Sequence, residues 1–261
     1  MRNKKHLIIV ILLALVFPFI VAFTSYNMAP QTWWQRRKQQ EPPMEFNTLE
    51  DNQGYKIIIN FKKGKSHNHP LMAFWVEDME GNYVQSLYVA QSIAEGYYRH
   101  GDASSGRWQP GPLRRPAALP YWGHKRGIKA ADGYYIPTQD DPMPDAVTGA
   151  TPKADFILTT FTIGKELKEF KIMMEINQSW DWNQYWHNNK FPDDDNYKTS
   201  SQPALVYEAV VNINNLQPEY NMQAIGHSHW SGANGNLYDD LSTITTALDI
   251  ADTVTILINN Q

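Results

Sequence analysis

Apolar and polar side chains alternate along much of this chain, and that two-residue period limits what it can fold into. In YKIIINFKK, residues 55–63, every second side chain is apolar, so one face of an extended strand carries Tyr55, Ile57, Ile59 and Phe61. The same period recurs in residues 170–177 and 204–213. Aromatic residues, which suit a half-buried pleated surface, make up 13% of the chain. The pattern predicts a fold built mainly from β-strands.

Eight segments have the composition and spacing of strands, and they follow one another with almost no helical pattern between them. They are residues 55–63, 71–78, 83–90, 156–163, 170–177, 204–213, 220–229 and 253–258. Only DLSTITTALDIAD, residues 240–252, has a helical pattern. The turn residues of MEGN, 79–82, join the second and third segments as a hairpin. Strands without interleaved helices predict an all-β fold, an immunoglobulin-like antiparallel β-sandwich.

The first 23 residues predict export. MRNKKH carries basic side chains ahead of the uninterrupted apolar run at residues 7–23. This run is long for the core of a cleaved signal peptide and only just long enough to span a bilayer. Residues 1–23 are therefore predicted to be a membrane-anchor helix or a signal peptide, and either one exports the remainder. Residues 24–52 then form a juxtamembrane linker, and residues 53–261 form a periplasmic domain, anchored to the inner membrane or secreted after cleavage.

Composition and motif content exclude several classes of function. The chain has no cysteine, which excludes disulfides, thiolate metal sites and a cysteine nucleophile. Its net charge of −4 argues against a general nucleic-acid partner, because such proteins carry a basic field. The sequence contains no serine nucleophile elbow, P-loop or dinucleotide fingerprint. An electron carrier or an accessory protein is therefore favoured over an enzyme with substrate turnover.

Residues 99–152 form a long segment that is rich in proline and glycine. So long a connection in a compact domain is usually functional or disordered. The segment concentrates basic side chains on an otherwise acidic protein: Arg99, Arg107, Arg114, Arg115, His124, Lys125, Arg126 and Lys129. This long basic loop suggests an anionic partner or ligand. The alternative is a solubilising loop that packs over one sheet.

At the end of this loop, DAVTGAT (145–151) resembles the flavinylation motif of FMN-binding domains, in which an Asp, a Ser or Thr, and then Gly-Ala-Thr precede a phosphoester to FMN. The resemblance implies that Thr151 is the attachment hydroxyl and that Asp145 orients the segment for a flavin transferase. Thr148 occupies the Ser or Thr position. Gly149 and Ala150 would keep the backbone slim enough to enter the active site of that enzyme.

A threonine hydroxyl is a poor nucleophile without an external base and a metal, so the motif reads as a substrate of another enzyme. The flavin would supply the redox chemistry, and the protein would supply its placement. Pro152 departs from the usual motif and restricts Thr151 to extended conformations. In an alternative interpretation, Thr148 and Gly149 form a tight turn capped by Asp145, and Thr151 leads into the next strand.

A wider set of stretches carries a second resemblance. AFWVEDMEGNYVQSLYV, LPYWGHKRG, PDAVTGATP, QPALVYEAVVNI and IGHSHWSGANGNLYDDLSTITTA span most of residues 55–258. They resemble a bacterial family known as domain of unknown function 2271, whose members are predicted periplasmic proteins. That family resembles families found near PepSY-type membrane proteins and flavin transferases. The resemblance implies extracytosolic electron transfer with a membrane redox protein of the PepSY type as partner.

Histidines supply another candidate site. On a strand, His227 and His229 of GHSHW would point to one face, and His67 and His69 repeat the spacing in SHNHP. Two such pairs brought together would form a nitrogen-rich site for copper, zinc or iron. In the alternative interpretation, His227 and His229 hydrogen-bond the turn that follows them.

One short segment, residues 179–186, is unusually aromatic: it contains Trp180, Trp182, Tyr185 and Trp186. These rings are suited to stacking on a sugar or on a flavin, and equally to filling a small satellite core.

The sequence thus leaves three functions open. The leading prediction is an extracytosolic electron-transfer protein with FMN attached covalently to Thr151. The first alternative is a cofactor-free periplasmic binding or accessory module that uses the long basic loop and the aromatic surface. The second alternative is a metal-binding protein built on the histidine pairs.

Overall fold

The computed structural model describes residues 42–259, which fold into two main β-sheets. Residues 1–23, predicted as an anchor or signal peptide, lie outside the described residues, as does most of the predicted linker. Within residues 42–259, no helix is both long enough and apolar enough to cross a bilayer.

The sheets account for the strand-like segments of the sequence. The strands are β1 (Met44–Asn47), β2 (Lys56–Lys63), β3 (Leu71–Glu77), β4 (Tyr83–Ala90), β5 (Tyr97–Asp102), β6 (Gln109–Pro112), β7 (Thr148–Gly149), β8 (Phe156–Phe161), β9 (Glu169–Asn177), β10 (Leu205–Asn212), β11 (Tyr220–Asn221), β12 (Gln223–His227) and β13 (Ala251–Asn259). The five-stranded sheet has the order β1-β8-β2-β13-β11, and the six-stranded sheet has the order β12-β10-β9-β3-β4-β7. β5 and β6 pair separately as a ribbon. β1 lies within the segment predicted as a linker.

The prediction of a β-rich, sandwich-like fold is confirmed, but the prediction of purely antiparallel sheets is wrong. β1 pairs with β8 in parallel, and β7 pairs with β4 in parallel. Parallel neighbours need a long connection between them, whereas antiparallel neighbours can be joined by a hairpin. The 57 residues between β4 and β7, 91–147, provide such a connection. Both sheets are therefore mixed at one edge.

The core between the sheets is formed by the alternating apolar side chains that the sequence pattern predicts. Tyr55, Ile57, Ile59 and Phe61 are all buried there. The even-numbered apolar residues 170–176 of β9 and the odd-numbered apolar residues 205–211 of β10 are buried in the same core, as is Ile213 just after β10. The period-two pattern thus identified the inward faces of β2, β9 and β10 correctly.

A second core covers the opposite face of the six-stranded sheet. Every residue of β3 is buried, and successive side chains enter alternate cores: Phe74 packs between the sheets, and Trp75 packs on the far side. The far side is covered by residues 91–147, which we call the covering layer; its Ile93, Tyr98 and Trp122 belong to this second core. The long basic loop therefore packs over one sheet, as one of the two interpretations of the sequence proposed.

The helices are short, and the long basic loop contains ordered elements. The helices are α1 (Gln91–Ala94), α2 (Pro120–Arg126) and α3 (Asp195–Lys198), with 3-10 turns at Asp145–Val147, Ile213–Asn215 and Thr246–Asp249.

Two predicted elements are wrong. Residues 240–252 form no α-helix: they contain one 3-10 turn and the first two residues of β13. Side chains from elsewhere bond this segment: Gln202 Oε1 accepts from the Thr245 amide at 2.8 Å, and Asp181 accepts from the Thr246 hydroxyl. Residues 220–229 form two strands in different sheets, β11 and β12, with the buried Met222 between them.

A buried carboxyl fastens the covering layer to the sheet. Helix α2 begins after Leu119, which provides no side-chain cap for the first amides. Glu175 of β9 supplies the missing acceptors: the Tyr121 amide donates to Oε1 at 3.2 Å and the Trp122 amide donates to Oε2 at 2.8 Å. Burial raises the pKa of the Glu175 carboxyl to about 8, against the opposing effect of these amides.

This shift predicts that stability falls as the pH rises. The folded protein keeps the proton on Glu175 up to about pH 8, whereas an unfolded chain releases it near its ordinary value of 4.5. Between these values unfolding releases a proton, so the free energy of unfolding decreases by up to about 1.4 kcal/mol per pH unit. We expect Glu175→Gln to flatten the dependence measured by urea unfolding at pH 5.5 and 7.5. Glu169→Gln, at an exposed position of the same strand, is the control. If Glu175→Gln leaves the pH dependence of the unfolding free energy unchanged, Glu175 is not the source of that dependence.

Candidate functional site

The DAVTGAT segment runs along the edge of the six-stranded sheet. After the 3-10 turn at Asp145–Val147, Thr148 and Gly149 form β7 and pair with Val89 and Ala90 of β4. The alternative interpretation, a tight turn at Thr148-Gly149, is therefore wrong: these residues extend because a strand edge is available to them. The exposed Asp145 side chain makes no capping hydrogen bond.

Gly149 and Tyr88 fix the segment in place. A Cβ atom on Gly149 would lie 2.4 Å from Cε2 of Tyr88, a ring with no solvent exposure. Only glycine leaves room for this contact. The Tyr88 hydroxyl then donates a hydrogen bond to the carbonyl oxygen of Ala150 at 2.6 Å. The chain just before Thr151 is thus held by packing and by a hydrogen bond.

Thr151 follows this anchor with its side chain half-buried on the wall of a cleft. Among residues 42–259, no hydrogen bond to its hydroxyl is formed. Pro152 behind it is buried and restricts Thr151 to extended conformations. Thr151 therefore lines an open space, and its hydroxyl is not tied to a backbone partner among residues 42–259.

The cleft has a volume of about 460 Å³, which is in the range of small-molecule sites. Six separate stretches of chain build its wall: Asn68, His69 and Leu71 before and at the start of β3; Ser92 of α1; Tyr98, Arg99 and His100 of β5; Arg115; Thr151 and Lys153; and Ser179 and Trp180 after β9.

The cleft is basic. Arg99, Arg115 and Lys153 line it, and no carboxylate is among the described residues of its wall. Arg99 and Lys153 are exposed, whereas Arg115 is buried, and burial lowers the pKa of its guanidinium. Three cations around one space produce a positive potential that favours an anionic ligand.

Aromatic rings form another part of the wall. The Trp180 ring, 51% exposed, lies 6.1 Å from the ring of the exposed Trp108. Trp180 has a φ of 59°, and His69 across the same wall has a φ of 53°. Side chains rarely adopt these left-handed values, and such strain concentrates at functional sites. The strained backbone at Trp180 presents a large flat ring to solvent at the mouth of the cleft.

The remaining rings of the aromatic segment 179–186 have other roles. Trp186 is buried in the core between the sheets, and Trp182 packs against it. Tyr185 is exposed under the ammonium of Lys190, 3.3 Å from its ring centroid. The segment is therefore divided, with only Trp180 at the cleft.

Two other cations of the long basic loop, Arg114 and Lys125, stabilise the covering layer. Arg114 Nη2 donates to Asp132 at 3.1 Å and to the carbonyl oxygen of Ile136 at 3.1 Å. Lys125 forms an ion pair of 3.3 Å with the buried Glu77. Part of the positive charge of this segment is thus neutralised by carboxylates within the fold, and only Arg99 and Arg115 of the segment line the cleft with positive charge.

The histidine pairs are not brought together. No group of three or more histidine, aspartate or glutamate side chains in the described part of the chain could hold a metal ion. His69 lines the cleft, whereas the His67 ring packs 5.8 Å from that of Phe61. Burial, together with Lys63, lowers the pKa of His67 to about 4.

The other pair departs from the predicted geometry. β12 ends at His227, so His229 lies beyond the strand. The two rings therefore do not share one face of a strand, contrary to the prediction. His227 Nδ1 bonds to the carbonyl oxygen of Ser228 at 2.8 Å. His229 Nδ1 accepts from the Ser231 amide at 3.2 Å, which confirms the interpretation that this histidine binds the following turn.

Tyr98, His100 and Lys153 belong to the cleft, although sequence reasoning did not select them as site residues. Lys153 follows Thr151 by two positions, a spacing that in extended chain places side chains on the same face. That signal was present in the sequence. The positions of Tyr98 and His100 depend on the β5–β6 ribbon and had no comparable local signal.

Comparison with known proteins gives no match: no protein-family model, curated protein or solved structure matches this chain.

The contact between Gly149 and Tyr88 predicts that Gly149→Ala destabilises the protein. The new methyl group must displace either a fully buried ring or the β7 edge, and overpacking of this kind costs about 1–3 kcal/mol. Urea unfolding measures the loss. Ala150→Ser, at the exposed next position, is the control and should change stability by less than about 0.5 kcal/mol. Equal stabilities of the two variants would refute the packing argument.

Proposed function

We propose that this chain is an extracytosolic electron-transfer protein that carries FMN esterified to Thr151. The single observation that carries the proposal is the position of this threonine. Its hydroxyl has no hydrogen-bond partner in the described structure, and the residue lines a cleft of about 460 Å³. A hydroxyl sealed in the core and bonded to the backbone would be inaccessible to a modifying enzyme.

The cleft also has the chemistry that a flavin phosphate requires. Lys153 and Arg99 on its wall are suited to phosphoryl oxygens, and Trp180 offers a flat surface on which an aromatic ring system can stack. FMN would supply one- or two-electron redox chemistry when attached. The protein would hold it at the edge of a rigid sheet, through Gly149, Tyr88 and Ala150.

Attachment needs an enzyme, because the surroundings of Thr151 contain no general base bonded to its hydroxyl within residues 42–259. FMN alone has no leaving group. The donor would therefore be a flavin dinucleotide, whose phosphoanhydride bond breaks as the phosphoester to Thr151 Oγ1 forms. The nucleoside monophosphate leaves, and the transferase removes the hydroxyl proton. Asp145 is exposed and close in sequence, where the transferase can contact it.

The rest of the proposal follows from the sequence. Residues 1–23 would export the chain and either anchor it or be cleaved, and the exported sandwich would be of the immunoglobulin-like type. Membership of the domain of unknown function 2271 family, with a PepSY-type membrane protein as redox partner, is part of the same proposal. The histidine metal site has no structural observation in its favour, because the two pairs lie in different surroundings.

The proposal predicts a covalent flavin on Thr151. After co-expression with a flavin transferase, the intact mass should increase by the mass of FMN less that of water, and the denatured band should fluoresce. Thr151→Ala should abolish both signals, and Thr151→Ser should retain them because the hydroxyl remains.

Ser92→Ala is the matched control, since Ser92 is another hydroxyl on the same wall. It should leave the mass increase intact. Unmodified wild-type protein, or a fluorescent Thr151→Ala band, would refute the proposed site.

A further inference from the structure

Arg115 is a buried cation without a counter-ion. The residue is only 7% exposed, and no carboxylate of residues 42–259 forms an ion pair with its guanidinium. Nη1 donates to the Ser179 hydroxyl, and Nε is buried with no hydrogen-bond partner in that part of the chain. A buried charge that lacks a partner is strongly unfavourable, so an arrangement of this kind is expected to serve a ligand.

The neighbouring residue shows what a structural arginine looks like in the same segment. Arg114 pairs with Asp132 and also donates to two backbone carbonyl oxygens, those of Ile136 and Pro137. Its donors are used within the covering layer. A guanidinium has five N–H donors, and Arg115 gives one to Ser179, while the others bond to no residue in 42–259.

Arg115 is part of the wall of the cleft. Two aromatic rings accompany it: its guanidinium carbon lies 5.0 Å from the Tyr98 ring centroid and 5.8 Å from that of Trp180. The contacts hold the planar guanidinium beside flat apolar surfaces. Arg99 and Lys153 add positive charge to the same wall.

We propose that the cleft binds a phosphorylated aromatic heterocycle non-covalently, with Arg115 as the residue that binds its phosphoryl group. The buried guanidinium without a carboxylate selects a strong oxyanion, and the exposed Trp180 beside it selects a flat ring. Guanidinium and phosphate match in geometry, because two N–H donors can bind two oxygens side by side. This site does not require the hydroxyl of Thr151, and it would hold such a ligand before or without any covalent bond.

The test uses the full chain carrying Thr151→Ala, so that no ester forms. FMN, riboflavin and inorganic phosphate are the probes. Flavin fluorescence and calorimetry measure their binding. We expect FMN to bind about 10- to 100-fold more tightly than riboflavin, because charge-assisted hydrogen bonds to the phosphoryl group are lost with riboflavin. Inorganic phosphate should compete with FMN and leave riboflavin binding unaffected.

Arg115→Met in the same background should remove the preference for FMN over riboflavin. Arg107→Met is the matched control, because Arg107 is an exposed arginine of the same loop outside the cleft. It should keep the preference. Thermal unfolding of Arg115→Met verifies that the variant is folded. The competition between inorganic phosphate and FMN tests the site without any Arg115 variant.

Three results would overturn the site: equal binding of FMN and riboflavin, a preference that survives Arg115→Met, or no binding of FMN. Because Thr151 is absent from the assay, a failure of covalent attachment in cells leaves this result unaffected. The two proposals can therefore fail separately.

Discussion

The rest of the structure depends on the burial of both faces of the six-stranded sheet. In β3, successive side chains enter two different cores, so this sheet cannot expose either face to water. The covering layer must therefore stay in contact with the sheet, although its helices and strands are short. Glu175 makes that contact specific, because a carboxyl on a strand receives the free amides of α2. The buried carboxyl of Glu175 thus fixes the position of the irregular covering layer on the regular six-stranded sheet.

The cleft is a consequence of how the covering layer is attached. The layer contributes Tyr98 and Arg115, and the chain that leaves it contributes Thr151 after the contact of Gly149 with Tyr88. Residues on rigid elements can hold a reactive or binding group more accurately than a free loop can. The DAVTGAT segment thus contains a short edge strand that ends close to the cleft. Gly149 is tightly packed, and Thr151, two residues later, is accessible.

Much of the fold could be predicted from the sequence, because apolar side chains recur at every second residue in the strands that bury one face. The apolar period of β2, β9 and β10 identified their buried faces directly. The run LMAFWVE of β3 is apolar without alternation, and this is the signal of a strand buried on both sides. The apolar spacing of residues 240–252 suits a helix, yet distant acceptors at Gln202 and Asp181 bond the segment in another form.

The candidate site was only partly predictable, because its charges depend on tertiary pairing. Composition identified a basic segment but could not separate Arg114 from Arg115, which are adjacent and chemically identical. Asp132 lies 18 residues from Arg114 in the sequence and pairs with it, while Arg115 turns towards Ser179 and the cleft. Net charge in a loop is therefore a poor measure of its affinity for anions. What matters is which of the cations without a carboxylate the fold places at a cleft, and here Arg99, Arg115 and Lys153 line the same cleft as Thr151.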